Sequence, residues 1–199
     1  THKRLYKVSG CSFFKSAMKN IEFDRYLIYA MERVIVISPA EDLSVQYIFQ
    51  FHQNEITCLE VSSQGSFIAS IDRTSNPKII LWNPQSFQVL KEIQTYHDES
   101  VLFLKLSDDE SKILTISSGT EWFIQISSST NESTDLFKKG INDKVVSIKF
   151  DNFYRFFILT YNYLVKYEIQ NIELVSSMYP LHKSELKNSC PVDFFFLEK

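Results

Sequence analysis

Glycine is scarce in this chain, four residues in 199, and the scarcity removes whole function classes. A phosphate-cradling loop needs several glycines close together, and neither a P-loop nor a dinucleotide fingerprint is found. Nucleophile-elbow and zinc-protease helix patterns are missing too. Cysteine is as sparse: Cys11, Cys58 and Cys190 make an odd, widely spaced set with no CxxC pair. Cys58 lies in an apolar strand pattern and is expected to be a buried, reduced thiol. Of the four histidines, His2 and His182 have no partner at metal-ligand spacing. No apolar run approaches the roughly 20 residues that span a bilayer, and the opening residues carry no signal-peptide pattern. A soluble, cytoplasmic protein without cofactor, metal or membrane is expected. The net charge of −3 argues against a nucleic-acid partner, whose electrostatic footprint is basic.

Against these deficits stand seventeen Phe and ten Tyr, in a chain 44% hydrophobic, enough to pack many β surfaces around a core. A four-beat repeat organises them: aliphatic, two variable residues, aliphatic, charged, apolar, then Ser or Asp. It runs Met18, Ile21, Glu22, Phe23, Asp24; Ile56, Leu59, Glu60, Val61, Ser62; Val101, Leu104, Lys105, Leu106, Ser107; and Val145, Ile148, Lys149, Phe150, Asp151. The beats fall 38, 45 and 44 residues apart. A period of about 40 to 45 residues with several short strands per unit is the mark of a β-propeller blade.

Each beat is followed by a second apolar run (Tyr26 to Ala30, Phe67 to Ile71, Lys112 to Ile116, Phe156 to Thr160) and a third (Val34 to Ile37, Ile79 to Trp82, Trp122 to Ile126, Leu164 to Tyr167). A fourth, more polar run comes last: Val45 to Phe49, Phe87 to Ile93, Leu136 with Phe137, Leu174 to Ser177. The expected fold class is therefore all-β: about four blades of four antiparallel strands, near residues 11–50, 51–95, 96–139 and 140–179. Residues 3–8 read as the outer strand of a preceding blade and 190–198 as the start of a following one. Four blades with a loose strand at each end suggest part of a larger propeller, because an open arc leaves strand edges exposed. Ser127 to Thr134 is rich in Ser, Thr and Asn and is expected to be a flexible loop. Asp108-Asp109-Glu110 is expected to be a solvated turn.

These repeats resemble the WD-repeat family. The His that commonly opens a blade stands at His52 and His97, four residues before Ile56 and Val101; the matching positions elsewhere are Ile141 and Phe14. The Trp-Asp that closes the third strand survives as Trp82-Asn83 and is replaced by Ile37-Ser38, Ile126-Ser127 and Tyr167-Glu168. In the family a His, a strand Ser or Thr, and a turn Asp make a buried relay with the Trp. The resemblance implies structural roles for His52, Trp82, Asn83 and His97, with no blade keeping the whole relay and buried Phe and Tyr carrying the stability. A closer resemblance, over Lys3 to Leu106, is to the echinoderm microtubule-associated protein-like group and related cilia- and flagella-associated WD-repeat proteins. It is carried by Lys3 to Gly10, Asn20-Ile21-Glu22-Phe23, Tyr26 to Ala30, Val34 to Ile37 and Phe51 to Leu59.

The resemblance implies a non-enzymatic interaction scaffold on the cytoskeleton or in a ciliary axoneme, part of a larger complex, with tubulin or axonemal proteins as partners. The alternative is a WD-repeat adaptor in another cytosolic complex: a ubiquitin-ligase substrate receptor, a trafficking scaffold or an RNA-processing scaffold. No catalytic residue is assigned, because no titratable cluster falls at repeat-related positions. Lys138, Lys139 and Lys144, flanking one loop, and Lys3, Arg4 and Lys7 at the entrance are the candidate partner-binding residues, since basic side chains suit the acidic microtubule surface. Phe153, Tyr154, Phe156 and Phe157 form an aromatic cluster that is expected to divide between core and surface.

Overall fold

Alternating β-branched and aromatic residues, broken by short polar turns, produce an all-β chain. A computed structural model describes residues 26–39, 42–118, 122–130, 135–170, 173–181 and 193–194. Among them are fifteen strands: β1 (Tyr26–Met31), β2 (Val34–Pro39), β3 (Tyr47–Gln50), β4 (Ile56–Val61), β5 (Ile68–Asp72), β6 (Lys78–Trp82), β7 (Val89–Gln94), β8 (Val101–Leu106), β9 (Lys112–Ser118), β10 (Trp122–Ser128), β11 (Asp135–Ile141), β12 (Val145–Asn152), β13 (Arg155–Thr160), β14 (Tyr163–Gln170) and β15 (Glu173–Pro180). They form four sheets in chain order: β1-β2-β3, β4-β5-β6-β7, β8-β9-β10-β11 and β12-β13-β14-β15. Consecutive strands within each sheet pair as antiparallel meanders, as a propeller blade requires. The strand expected around Met18 to Asp24 lies outside the described residues, as do Lys3, Arg4 and Lys7.

The chain divides into two compact units, Thr1–Leu102 and Phe103–Lys199, with the boundary inside β8. In the first unit, Ile28, Ala30, Ile35 and Ile37 of the first sheet join Ile56, Leu59, Val61, Ile68, Ile80 and Trp82 of the second in one buried cluster. In the second unit, Leu114, Ile116, Ile124 and Ile126 of the third sheet meet Ile148, Phe156, Ile158, Val165 and Tyr167 of the fourth. Each Ile or Leu so buried contributes about 1.5 to 3 kcal/mol relative to exposure. Cys58 is buried in β4.

In the second and third sheets the turn after the first strand contains a left-handed residue. Gly65 supplies it in the second sheet, with φ 71°, and Glu110 takes the same place in the third, with φ 60°. Around Glu110 the Asp109 carboxylate accepts bonds from the Ser107 and Ser111 hydroxyls, both at 2.6 Å. The acidic run is thus a hydrogen-bonded turn.

Two expectations from the sequence need correction. Ser127 and Ser128 are not loop but the end of β10, paired with Ile113 and Lys112 and buried. β11 is also a full seven-residue strand rather than the pair Leu136 and Phe137. Its Lys138-Lys139-Gly140 has low intrinsic strand preference, yet cross-strand pairing with β10 outweighs it.

Candidate interaction surface

His52 follows β3, Ser70 lies in β5 and Trp82 ends β6, and the sheet register brings them together. Ile68 stands opposite Trp82 and Ser70 opposite Ile80, so all four side chains share one face. The Trp82 indole donates to Ser70 Oγ at 2.7 Å, and Ser70 Oγ lies 2.6 Å from His52 Nε2. The Asp72 carboxylate beside Nδ1 favours the neutral tautomer with its proton there, which leaves Nε2 to accept from the Ser70 hydroxyl. Nδ1 faces Asp72 Oδ2 at 3.6 Å, and Asp72 also accepts from the backbone N–H of Asn54 at 3.3 Å. Burial pushes the imidazole below its ordinary 6.5, while the Asp72 charge and hydrogen bond pull the other way. The second sheet therefore holds the whole relay, against the expectation that no blade would. Ser70, and Asp72 two residues after it at the end of β5, are the members that the sequence pattern did not single out.

Asn83, the residue after Trp82, shapes the next turn. Its side-chain oxygen accepts from the Gln85 and Ser86 N–H groups at 2.8 and 2.9 Å. The turn ends in Phe87, held at φ 61°, a left-handed conformation that costs a non-glycine residue about 1 to 2 kcal/mol.

The fourth sheet handles the same positions differently. Phe156 stands opposite Tyr167, as Ile68 does opposite Trp82, and Ile158 opposite Val165, as Ser70 does opposite Ile80. Ile141, Ile158 and Tyr167 thus occupy the places of His, Ser and Trp, and all three belong to the buried cluster. Tyr167 stacks on Phe156 with ring centroids 5.0 Å apart. The carboxylate has moved as well. Thr160 takes the place of Asp72, while Asp143 sits two residues before Val145, where Asn54 sits before Ile56. Asp143 accepts from the Thr160 hydroxyl at 2.7 Å and from the Asn162 N–H at 2.8 Å. Partial burial would raise its pKa, but these bonds outweigh it and hold the carboxyl below its ordinary 3.8.

The third sheet is intermediate. His97 and Thr115 are both buried. Ile113 pairs with Ser127 and Thr115 with Gln125, so Ser127, not Ile126, stands in the place of the Trp. Ile126 points to the opposite face and into the core, because a shift of one residue along a strand reverses the side chain. Gln125 donates to Ser127 Oγ at 3.1 Å.

The three described lysines do not form one loop surface. Lys138 and Lys139 are adjacent in β11 and leave its two faces. Lys138 is exposed and its ammonium lies 4.6 Å from the Phe123 ring centroid. Lys139 is half-buried, donating to Leu174 O at 3.3 Å and Ser176 Oγ at 3.0 Å on β15. Lys144 is exposed in the connection before β12, with its ammonium 5.2 Å from the Tyr161 centroid. The aromatic cluster divides: Phe156 is core, whereas Phe153 and Tyr154 are exposed in a turn with ring centroids 3.8 Å apart.

One cluster of partly exposed rings is not pointed to by the sequence pattern. Phe49 packs on Phe87 at 4.3 Å between ring centroids, Tyr47 stacks on Phe87 at 5.7 Å, and Phe51 meets Trp82 edge-on at 5.4 Å. Phe49 and Phe87 line a small cleft in the first unit together with Ile35, Ile68, Trp82 and Pro84. Three of the rings keep much of their surface in solvent: Tyr47 44%, Phe51 46% and Phe87 38%. Among the described residues no group of three or more His, Cys, Asp or Glu is placed to hold a metal ion.

No family model matches the chain, and no curated protein does. Solved structures do. The structure of U3-55K aligns with TM-score 0.65 and 17% identity over 79% of this chain and 50% of that one. A crystal structure of the mitotic checkpoint complex contains a chain that aligns with TM-score 0.66 and 16% identity over 79% and 50%. The WD40 repeats of RRP9 align with TM-score 0.66 and 17% identity over 79% and 49%. This chain spans about half the length of the structures it matches. The fold is that of WD40-repeat β-propeller blades.

Proposed function

We propose that this chain is a non-enzymatic protein-interaction scaffold that works inside a larger assembly. The observation that carries this is the contrast between stiff, polar-bonded or close-packed sheets and a cluster of partly exposed aromatic rings on the first unit, the arrangement of a display platform rather than of a reaction centre. The finer assignment is a microtubule-associated or ciliary axonemal component, acting in the cytoplasm on the cytoskeleton. Its support is the resemblance over Lys3 to Leu106, together with two exposed lysines, Lys138 and Lys144, suited to an acidic surface. Lys139 is engaged with β15 and is left out of that contact.

A second assignment, an adaptor in another cytosolic complex, is favoured by the likeness to a chain of the mitotic checkpoint complex. Co-sedimentation of the full-length protein with microtubules across a salt series separates the two. Direct tubulin contact predicts pelleting that weakens with salt and falls several-fold when Lys138 and Lys144 are both replaced by Glu. No pelleting at low salt would remove direct microtubule binding and leave the adaptor assignment.

A further inference from the structure

The turn that joins the first strand of a sheet to its second differs among the last three sheets. It is Ser62 to Ser66 in the second and Ser107 to Ser111 in the third, with no aromatic residue in either. In the fourth, Asn152 pairs with Arg155, which leaves Phe153 and Tyr154 at the tip, 38% and 55% exposed. Both rings lie beyond the last paired residues, off the faces through which sheets pack and the edges along which strands pair. The turn beneath them is fixed. The Tyr154 N–H donates to Asn152 Oδ1 at 2.9 Å, the Ile169 N–H donates to Tyr154 O at 2.7 Å, and Arg155 pairs with Asp151. Rings already ordered on a stiff tip lose little entropy when a partner binds.

The structure also holds a sample of what these rings attract. Lys112, the first residue of β9, follows the third-sheet turn, and its ammonium lies 5.4 Å from the Phe153 centroid and 5.6 Å from the Tyr154 centroid. One cation is thus shared by two ring faces. The charge balance favours more positive charge there. Arg155 is paired with Asp151 and Lys166 with Glu168, whereas the third-sheet turn brings three carboxylates, Asp108, Asp109 and Glu110, against the one ammonium of Lys112.

We propose that Phe153 and Tyr154 dock a basic segment of a protein partner, with an arginine guanidinium stacked on the rings and neighbouring basic residues drawn to the carboxylates of the adjoining turn. Arginine suits the rings better than lysine, because its guanidinium is planar, weakly hydrated and stacks on aromatic faces. Lys112 is then an internal competitor that the arginine displaces. The site goes beyond the scaffold function stated above, and it uses neither of the lysines assigned to an acidic surface.

The test is fluorescence anisotropy of a labelled Arg-Gly-Ser repeat peptide, and of its twin with Glu for Arg, titrated with the full-length protein. The arginine peptide is expected to bind, more weakly as salt rises, and the glutamate twin not to bind. Phe153→Ala with Tyr154→Ala should weaken binding roughly tenfold. Phe153→Leu with Tyr154→Leu, which keeps apolar bulk at two exposed positions and removes the ring faces, should weaken it nearly as much. Lys112→Ala should strengthen binding roughly threefold or more by clearing the rings. Four results overturn the site while leaving the scaffold function standing. They are no binding to the full-length protein, which would mean that the chain itself covers the rings; equal binding of the glutamate twin; binding indifferent to both ring substitutions; and loss of affinity on Lys112→Ala.

Discussion

The second and fourth sheets solve one packing problem with opposite chemistry. Where the second places His52, Ser70 and Trp82 in a hydrogen-bonded chain ending at Asp72, the fourth places Ile141, Ile158 and Tyr167 in an apolar cluster. Even the carboxylate trades sides: Asp72 at the end of the second strand accepts from the segment before the first, and Asp143 before the first strand accepts from Thr160 at the end of the second. A blade therefore needs these positions filled and mutually satisfied, and two matched sets of residues achieve it. A set broken by a single substitution is costly, because a buried polar group left without its partner pays its full desolvation energy.

Breaking the comparison should be most costly at the ring. Trp82→Ala is expected to lower stability by about 3 to 5 kcal/mol through the cavity and the lost indole bond to Ser70. Urea denaturation would show it. Next comes Ser70→Ala, which strands both the indole N–H and His52 Nε2 and should cost roughly 2 kcal/mol or more. The comparison is sharpened by converting the whole set: His52→Ile, Ser70→Ile and Trp82→Tyr together should cost less than the sum of the three single changes by more than about 1 kcal/mol. Full additivity would mean that the relay members do not act as a unit.

In the fourth sheet, Asp143→Ala should cost about 1.5 to 3 kcal/mol by leaving the Asn162 N–H without its acceptor and the Thr160 hydroxyl with only the Tyr163 carbonyl at 3.1 Å. Asp143→Asn combined with Thr160→Asp restores the second sheet's polarity and should recover part of that loss in thermal unfolding.

The smallest effect is on pH dependence. His52 is held below 6.5 in the folded state, so the unfolded chain takes up its proton first as the pH falls. Stability present above 6.5 is then lost on acidification toward the lowered folded value. Asp143, held below 3.8, contributes stability above that value and loses it only as the pH falls through the carboxylate range. Stability measured from neutral pH to about pH 5 should thus decline in the parent and less steeply in His52→Ile. An unchanged slope would locate the titration elsewhere.

Local sequence made much of this legible. The repeat placed His52 and Trp82 at matching positions of one blade, and strand alternation already divided the aromatic cluster between core and surface. Other points were hidden for definite reasons. Asp72 is an unremarkable turn carboxylate until the β4–β5 register sets it beside His52. Ser127 was displaced by one position because apolar Ile126 resembles a Trp replacement more than a serine does. Lys138 and Lys139 look like one basic patch in a line of text, yet successive strand residues point to opposite faces.

The repeat alone determined the class of fold and the four-strand rhythm, because hydrophobic period and turn residues are local properties that survive in any context. Only the tertiary structure decided which lysine is engaged, which residue completes the relay and where aromatic rings gather into a cleft. Each of those depends on pairing across strands and packing between sheets, which bring together residues that the chain itself keeps apart.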